Sequence, residues 1–151
     1  MGAVYGDPHT TICVLEGLAQ YAAFRRKCAA SVALSVSCAE AFLLENNLFA
    51  DSGDKRFRKL TYPHRYRYDL LRALAYFTER KTPYDPRMRP ALDWLAAKRQ
   101  PDSRWPLEYS HPGNVHFIME QTGQSSRFVT LKALTILDYF SRIGAYAALL
   151  A

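Results

Sequence analysis

Arg67-Tyr-Asp-Leu-Leu-Arg-Ala-Leu-Ala-Tyr-Phe77 decides the fold, because its pattern recurs along the chain. The order Leu, charged residue, small residue, Leu also stands in Thr11-Ile-Cys-Val-Leu-Glu-Gly-Leu-Ala-Gln-Tyr21 and in Arg127-Phe-Val-Thr-Leu-Lys-Ala-Leu-Thr-Ile-Leu137. Aligning Leu15, Leu71 and Leu131 superposes Leu18, Leu74 and Leu134 as well, with Gly17, Ala73 and Ala133 between them. The intervals exceed the roughly 34 residues of the shorter helical repeats and suit a helical hairpin with long connectors. Apolar residues occupy nearly every face of the second and third copies, so these helices are expected to be buried on most sides.

Two amphipathic stretches lie between the copies, Ala29 to Phe49 and Asp85 to Arg99. In the second, Pro86 suits a first turn, and Met88, Leu92 and Leu95 recur at helical spacing while Arg87, Asp93, Lys98 and Arg99 face water. Alternation of an apolar inner helix with a half-wet outer one predicts an all-α protein of about five main helices in two layers. No β-strand is required. Hairpin units over about 9–60, 61–115 and 116–151 make a single helical domain of the whole 1–151 chain. Connectors are expected at about 50–65, 79–84 and 100–126. The last is long enough to be either functional or interrupted by a short helical turn.

Composition narrows the class. The 151 residues are 49% hydrophobic with only 7 Gly and 8 Pro, which supports one sizeable core and argues against disorder or a turn-rich β domain. Uncharged stretches such as Ala29 to Ala39 fall well short of the roughly 20 residues of a membrane-spanning helix. The first residues lack a basic start and an apolar signal core, so a cytoplasmic protein is expected. Net charge is −1 over residues 1–50, +7 over 51–100 and 0 over 101–151. The surplus gathers in Lys55-Arg56-Phe57-Arg58-Lys59 and Arg65-Tyr66-Arg67, a basic run with interleaved aromatics. Such a run suits phosphates, whether of a lipid headgroup, a diphosphate or nucleic acid. Nucleic acid is the least favoured, since no recognisable binding motif accompanies the run. Cys13, Cys28 and Cys38 form no Cys-x-x-Cys pair and are expected to be buried free thiols.

Residues 87 to 137 carry the most specific pattern: Arg-Met-Arg-Pro-Ala-Leu-Asp-Trp-Leu-Ala-Ala-Lys-Arg-Gln100, Asp102-Ser-Arg-Trp105, then Gly123-Gln-Ser-Ser-Arg127 and Thr130-Leu-Lys-Ala-Leu134. This resembles the repeat of the squalene/terpenoid cyclase and protein prenyltransferase superfamily, in which an outer helix ends in Gln before a Gly-x-Trp turn. Gln100 and Trp105 match, and Ser103 stands where that superfamily usually has Gly. The resemblance implies a partial α/α toroid whose inner helices surround a cavity, with Gln100 capping helix-end groups and stacking on an indole. Toroids of that kind usually have five to seven hairpins and this chain offers about two and a half. Either it is part of a longer ring or two copies associate as a homodimer to complete one. The superfamily's acidic Asp-x-Asp-Asp motif is missing, and no residue set matches its zinc triad, so no catalytic residue follows from the resemblance and activity as an enzyme is left open.

The residues themselves nominate other sites. Glu16, Arg72 and Lys132 follow the aligned leucines, so on a cavity wall they would receive an anion, with Glu16 neutralising one cation; the alternative is a polar seam at one end of the helices. His9 and His64 precede Leu15 and Leu71 at nearly equal distance and are expected at one rim. His111, His116 and Glu120 in the third connector extend a weak metal set of His9, His64, His116 and Glu120. None has the i,i+4 spacing of a strong helical ligand pair, so no metal or other cofactor is required. Tyr66 and Tyr68 stand at the basic rim, whereas Phe77, Phe128 and Phe140 read as core. Arg127 follows Ser125 and Ser126, either of which suits an N-cap, and could hold a phosphate at the helix start or bridge to Glu120. The expected function is a cyclase- or prenyltransferase-like helical toroid binding an isoprenoid or other lipid-like ligand with an anionic head. The alternative is a non-catalytic helical scaffold or self-assembly protein without a small ligand.

Overall fold

The apolar run that follows Asp69 becomes the axis of the molecule. In a computed structural model, which describes residues 6–24 and 30–144, helix α3 (Leu70–Glu79) is buried at every position from Leu70 to Thr78. Asp69 caps it, accepting from the Arg72 N–H at 2.8 Å. Helix α1 (Pro8–Phe24) and helix α2 (Ala30–Glu45) pack on each other as a hairpin. Helix α4 (Arg89–Ala97), entered through a 3-10 turn at Pro86–Met88, and helix α5 (Arg127–Arg142) close over α3. One continuous core runs from Ile12 and Leu15 through α3 to Ala91, Leu92 and Leu95 of α4 and Val129, Ile136 and Phe140 of α5. The protein is thus mainly α-helical. Among the described residues no helix is long and apolar enough to cross a membrane.

The three copies of the leucine pattern are not equivalent. Leu15 and Leu71 are fully buried, but Leu131 is 64% and Leu134 40% exposed. The expectation that the third copy is buried on most sides is therefore corrected. Helix α5 places Ala133, Ile136, Leu137 and Phe140 against the core, while Leu131, Leu134 and Thr135 are exposed. Helix α1 likewise buries only Ile12 and Leu15. Burial on all sides belongs to α3 because α4 and α5 both pack on it.

The long third connector closes without a helical turn. Trp105–Pro106 (β1) pairs antiparallel with Ser125–Ser126 (β2), a short ladder that the helical reading did not include. Its reason lies in the residues it joins: Trp105 is buried and donates its indole N–H to the Leu95 carbonyl at the end of α4, while Ser126 caps α5 by accepting from Val129 N–H. The first connector folds through two 3-10 turns, Asn47–Phe49 and Lys55–Arg58. Asn47, Leu48 and Phe49 all take positive φ, a left-handed turn that L-residues rarely adopt. It is held by the Tyr68 hydroxyl, which donates to the Leu48 carbonyl at 2.7 Å, and by edge-on packing of Phe49, Phe57 and Tyr68. The thiols also depart from expectation: Cys13 is half-buried and Cys38, on the outer side of α2, is exposed. Cys28 lies outside the described residues.

Candidate functional site

Glu16 of α1 and Arg72 of α3 meet, so Arg72 is the aligned cation that Glu16 neutralises. The Arg72 Nη2 lies 2.6 Å from Glu16 Oε2 and its Nε 2.9 Å from Oε1, a two-point pairing. The remaining guanidinium donors reach the Arg67 carbonyl at 2.9 Å and the Cys13 sulfur at 3.4 Å. Arg72 is only 5% exposed, so this full set of partners is what makes its burial tolerable. It also leaves Arg72 little capacity for a ligand. Lys132 does not join the pair. It lies in a separate groove between α3 and α5, beside Glu79 and Thr135. The three-charge anion site is thereby corrected to a structural ion pair and a distant lysine.

The cationic site forms elsewhere, where the first connector crosses the third. The Leu60 carbonyl accepts from both Glu108 and Tyr109 N–H groups, and Thr61 bridges to Tyr109, which lashes the basic run to the end of β1. Between them opens a pocket of about 180 Å³ lined by His9, Arg56, Lys59, Thr61, Tyr66, Arg67, Tyr68 and Tyr109. Arg67 donates to the Tyr109 hydroxyl at 3.1 Å and stands 5.4 Å from that ring's centre. Arg56 is paired with Asp54, whose carboxyl it holds down at about 2. Among the described residues no carboxylate lies within ion-pair distance of Lys59 or Arg67. His9 belongs to the first turn of α1, and its Nδ1 accepts from Tyr68 N–H at 2.8 Å. The neutral ring therefore carries its proton on Nε2. Tyr68 is core rather than rim: burial pushes its hydroxyl well above the usual phenol range, with Asp69 adding to the effect. Tyr66 is the exposed aromatic at the mouth. Together these groups form a small concavity of two uncompensated cations, hydrogen-bond donors and aromatic walls, which is chemistry for an anion. The charge run announced Arg56, Lys59 and Arg67 in the sequence. Nothing there announced Tyr109, which reaches the pocket only through the pairing with Thr61.

His64 does not share the rim with His9. Its Nδ1 lies 2.9 Å from Asp69 Oδ2, Asp69 is buried and the His64 side chain 10% exposed, and among the described residues its buried Nε2 has no partner. The His64 carbonyl accepts from His111 Nε2 at 3.0 Å, so the two rings are ordered by different groups. Burial holds the His111 imidazole below the usual histidine range, and Arg67 and Arg65 push it the same way. His116 is exposed on the loop beyond. Glu120 turns inward to accept from the Ser126 hydroxyl and from the Arg127 N–H at 2.8 Å. The weak metal set is thus dispersed, and among the described residues no three His, Cys, Asp or Glu side chains are grouped as a metal site requires. The Glu120 carboxylate also takes the place a phosphate would occupy at the start of α5. Arg127 bridges to it at 3.5 Å, so that the bridging alternative describes this residue.

Gln100 and Trp105 divide the structural work differently from the resemblance. Trp105, not Gln100, satisfies the end of α4, and the cation over its ring at 5.9 Å is Arg99. Gln100 instead accepts from the Ser125 hydroxyl at 3.0 Å, tying the exit of α4 to the entry of α5. Ser103, with φ of 64°, occupies the left-handed position where a glycine is easiest. Fold and site together define a helical protein with a cationic, aromatic-walled pocket. Compared with family models, curated proteins and solved structures, the chain finds no match.

Proposed function

We propose that this chain binds a ligand with a phosphate or diphosphate head, of the isoprenoid or lipid-like kind the cyclase resemblance implies, and that the head enters the Arg56–Lys59–Arg67 pocket. The observation that carries the reading is the pocket's composition: Lys59 and Arg67 face it with no carboxylate partner among the described residues, between three tyrosines. Its volume of about 180 Å³ is below the usual roughly 300–1,000 Å³ of sites that enclose a whole small molecule, so it suits a head group rather than a chain. The apolar remainder would then lie outside it. In this reading α1–α2, α3–α4 and α5 are an arc of an α/α toroid. The pairing of an all-buried α3 with a half-wet α4 supports that arrangement of layers.

Calorimetric titration with inorganic pyrophosphate and with an isoprenyl diphosphate tests the reading. Both should bind, the second more tightly. Charge-assisted hydrogen bonds contribute about 1.5–3 kcal/mol each, so Lys59→Gln with Arg67→Gln should weaken pyrophosphate by at least roughly tenfold. Equal affinities would remove the apolar tail from the reading, and absence of binding to both would end it. The scaffold alternative is favoured by a different observation, the exposure of Val14, Tyr21, Phe24 and Leu34 on the α1–α2 hairpin and of Leu131 and Leu134 on α5.

A further inference from the structure

The loop that leaves Tyr109 carries four large apolar side chains within five residues, and none is put away. Phe117 is 71% and Ile118 76% exposed, with Val115 and Met119 also open to water. Leaving such a cluster in solvent is uncommon for a surface loop and marks a surface that something covers. Its charge pattern says what. From Tyr109 to Met119 the loop contains no acidic residue, and Glu120, which follows, is drawn inward to Ser126 and Arg127. Arg65 lines the same groove as Phe117 and Ile118; Glu120 lines it too, but its side chain is only 9% exposed and is held by Ser126 and Arg127. His111, at the base of the loop, packs against Tyr66 and Tyr109, its ring centre 6.3 Å and 5.4 Å from theirs, and those tyrosines wall the cationic pocket. The apolar tip and the cations are therefore neighbours on one face.

From this juxtaposition we infer that the face docks on a membrane containing anionic lipid, Phe117 and Ile118 entering the interface while Lys59, Arg65 and Arg67 meet headgroup phosphates. The inference rests on the anion-pocket reading for its headgroup site. Two weak signals add here as they do in peripheral proteins. An apolar side chain gains by leaving water for the acyl boundary, and each Lys or Arg near an anionic surface contributes about a fivefold gain in partition. A protein partner would need acidic groups to face the arginines and an apolar groove for the tip. The phosphate-sized concavity beside the tip fits a headgroup without further requirements.

Sedimentation with phosphatidylcholine vesicles, with and without an admixture of phosphatidylserine, tests it. The full chain should co-sediment with the mixed vesicles, be released into the supernatant by high salt, and remain in the supernatant when only neutral vesicles are pelleted. Phe117→Ser with Ile118→Ser should lower binding to mixed vesicles by at least roughly tenfold with an unchanged circular dichroism spectrum, since both side chains are exposed. Arg65→Gln should lower it by about fivefold. Equal binding to neutral vesicles, or binding indifferent to the loop variant, overturns the inference and returns the loop to the surface of a protein partner. Pyrophosphate bound in solution with no sedimentation overturns the membrane face and leaves the pocket standing. Sedimentation without pyrophosphate binding upholds the face and removes the pocket as its headgroup site.

Discussion

At residue scale the two buried polar ties are the sensitive points. Trp105 is essentially buried and its N–H meets the Leu95 carbonyl at 2.6 Å. Trp105→Phe keeps much of the packing and leaves the Leu95 carbonyl with only the longer Lys98 N–H bond at 3.3 Å, so a loss of about 0.5–1.5 kcal/mol is expected in urea unfolding, against little change for Trp94→Phe, whose indole N–H has no partner among the described residues. Glu16→Gln removes the counter-charge of a guanidinium that stays buried, although Glu16 itself is 40% exposed. The Arg67 carbonyl still accepts from Arg72, which places the expected cost at about 1–3 kcal/mol, below the 3–5 of a fully enclosed pair. Asp54 gives the acid dependence. Its folded-state value of about 2 lies below the ordinary 3.8, so the stability it adds is complete above about pH 4 and lost as pH falls through 2. Asp54→Asn should lower the Tm at neutral pH and converge with the parent below pH 2 in a calorimetric series. The leucine alignment set Glu16 against one of two cations without saying that it was Arg72, and the α5 cap was legible only as Ser125 or Ser126. Lys132 was misplaced because equivalence in sequence register does not fix equivalence in space once one helix is central and another peripheral.

At the scale of elements, α3 and α4 are written plainly in their periodicity, and Asp85 and Pro86 mark an entry that the structure keeps as a 3-10 turn. What periodicity could not supply was the left-handed turn at Asn47–Phe49, which no glycine announces. Its stability comes from a distant hydroxyl. Each L-residue in that conformation costs on the order of 1–2 kcal/mol, and the Tyr68 hydroxyl bond to Leu48 helps to offset the cost. Tyr68→Phe leaves the Leu48 carbonyl unpaired and should destabilise the chain by about 1–3 kcal/mol, with hydrogen exchange rising first around residues 46–50. Uniform exchange across all helices would instead mean that the turn is not a separate unit. The two-residue ladder between β1 and β2 was equally hidden, because two residues are too few for an alternation to show. Pocket and ladder share this origin: Tyr109 and Trp105 lie in the same loop, and each is placed by a partner far away in sequence.

For the whole molecule the question is what covers its two apolar flanks. Leu131 and Leu134 lie on α5 away from the core, while Val14, Tyr21, Phe24 and Leu34 lie on the α1–α2 hairpin at the other end of the helix order. An apolar surface on the first and last described helices is what the proposed arc would leave uncovered at its two ends. Two such arcs joined end to end would cover both flanks and close a ring. Leu131→Gln with Leu134→Gln tests this without touching the fold, since substitutions at exposed positions usually change stability by less than about 0.5 kcal/mol. Light scattering of the parent chain should give twice the chain mass, and the double variant should give one chain mass with an unchanged melting temperature. A parent that is monomeric at every concentration would remove the closed ring, and with it the scaffold reading that depends on self-association. It would leave the Lys59–Arg67 pocket unaffected, because neither leucine lines it.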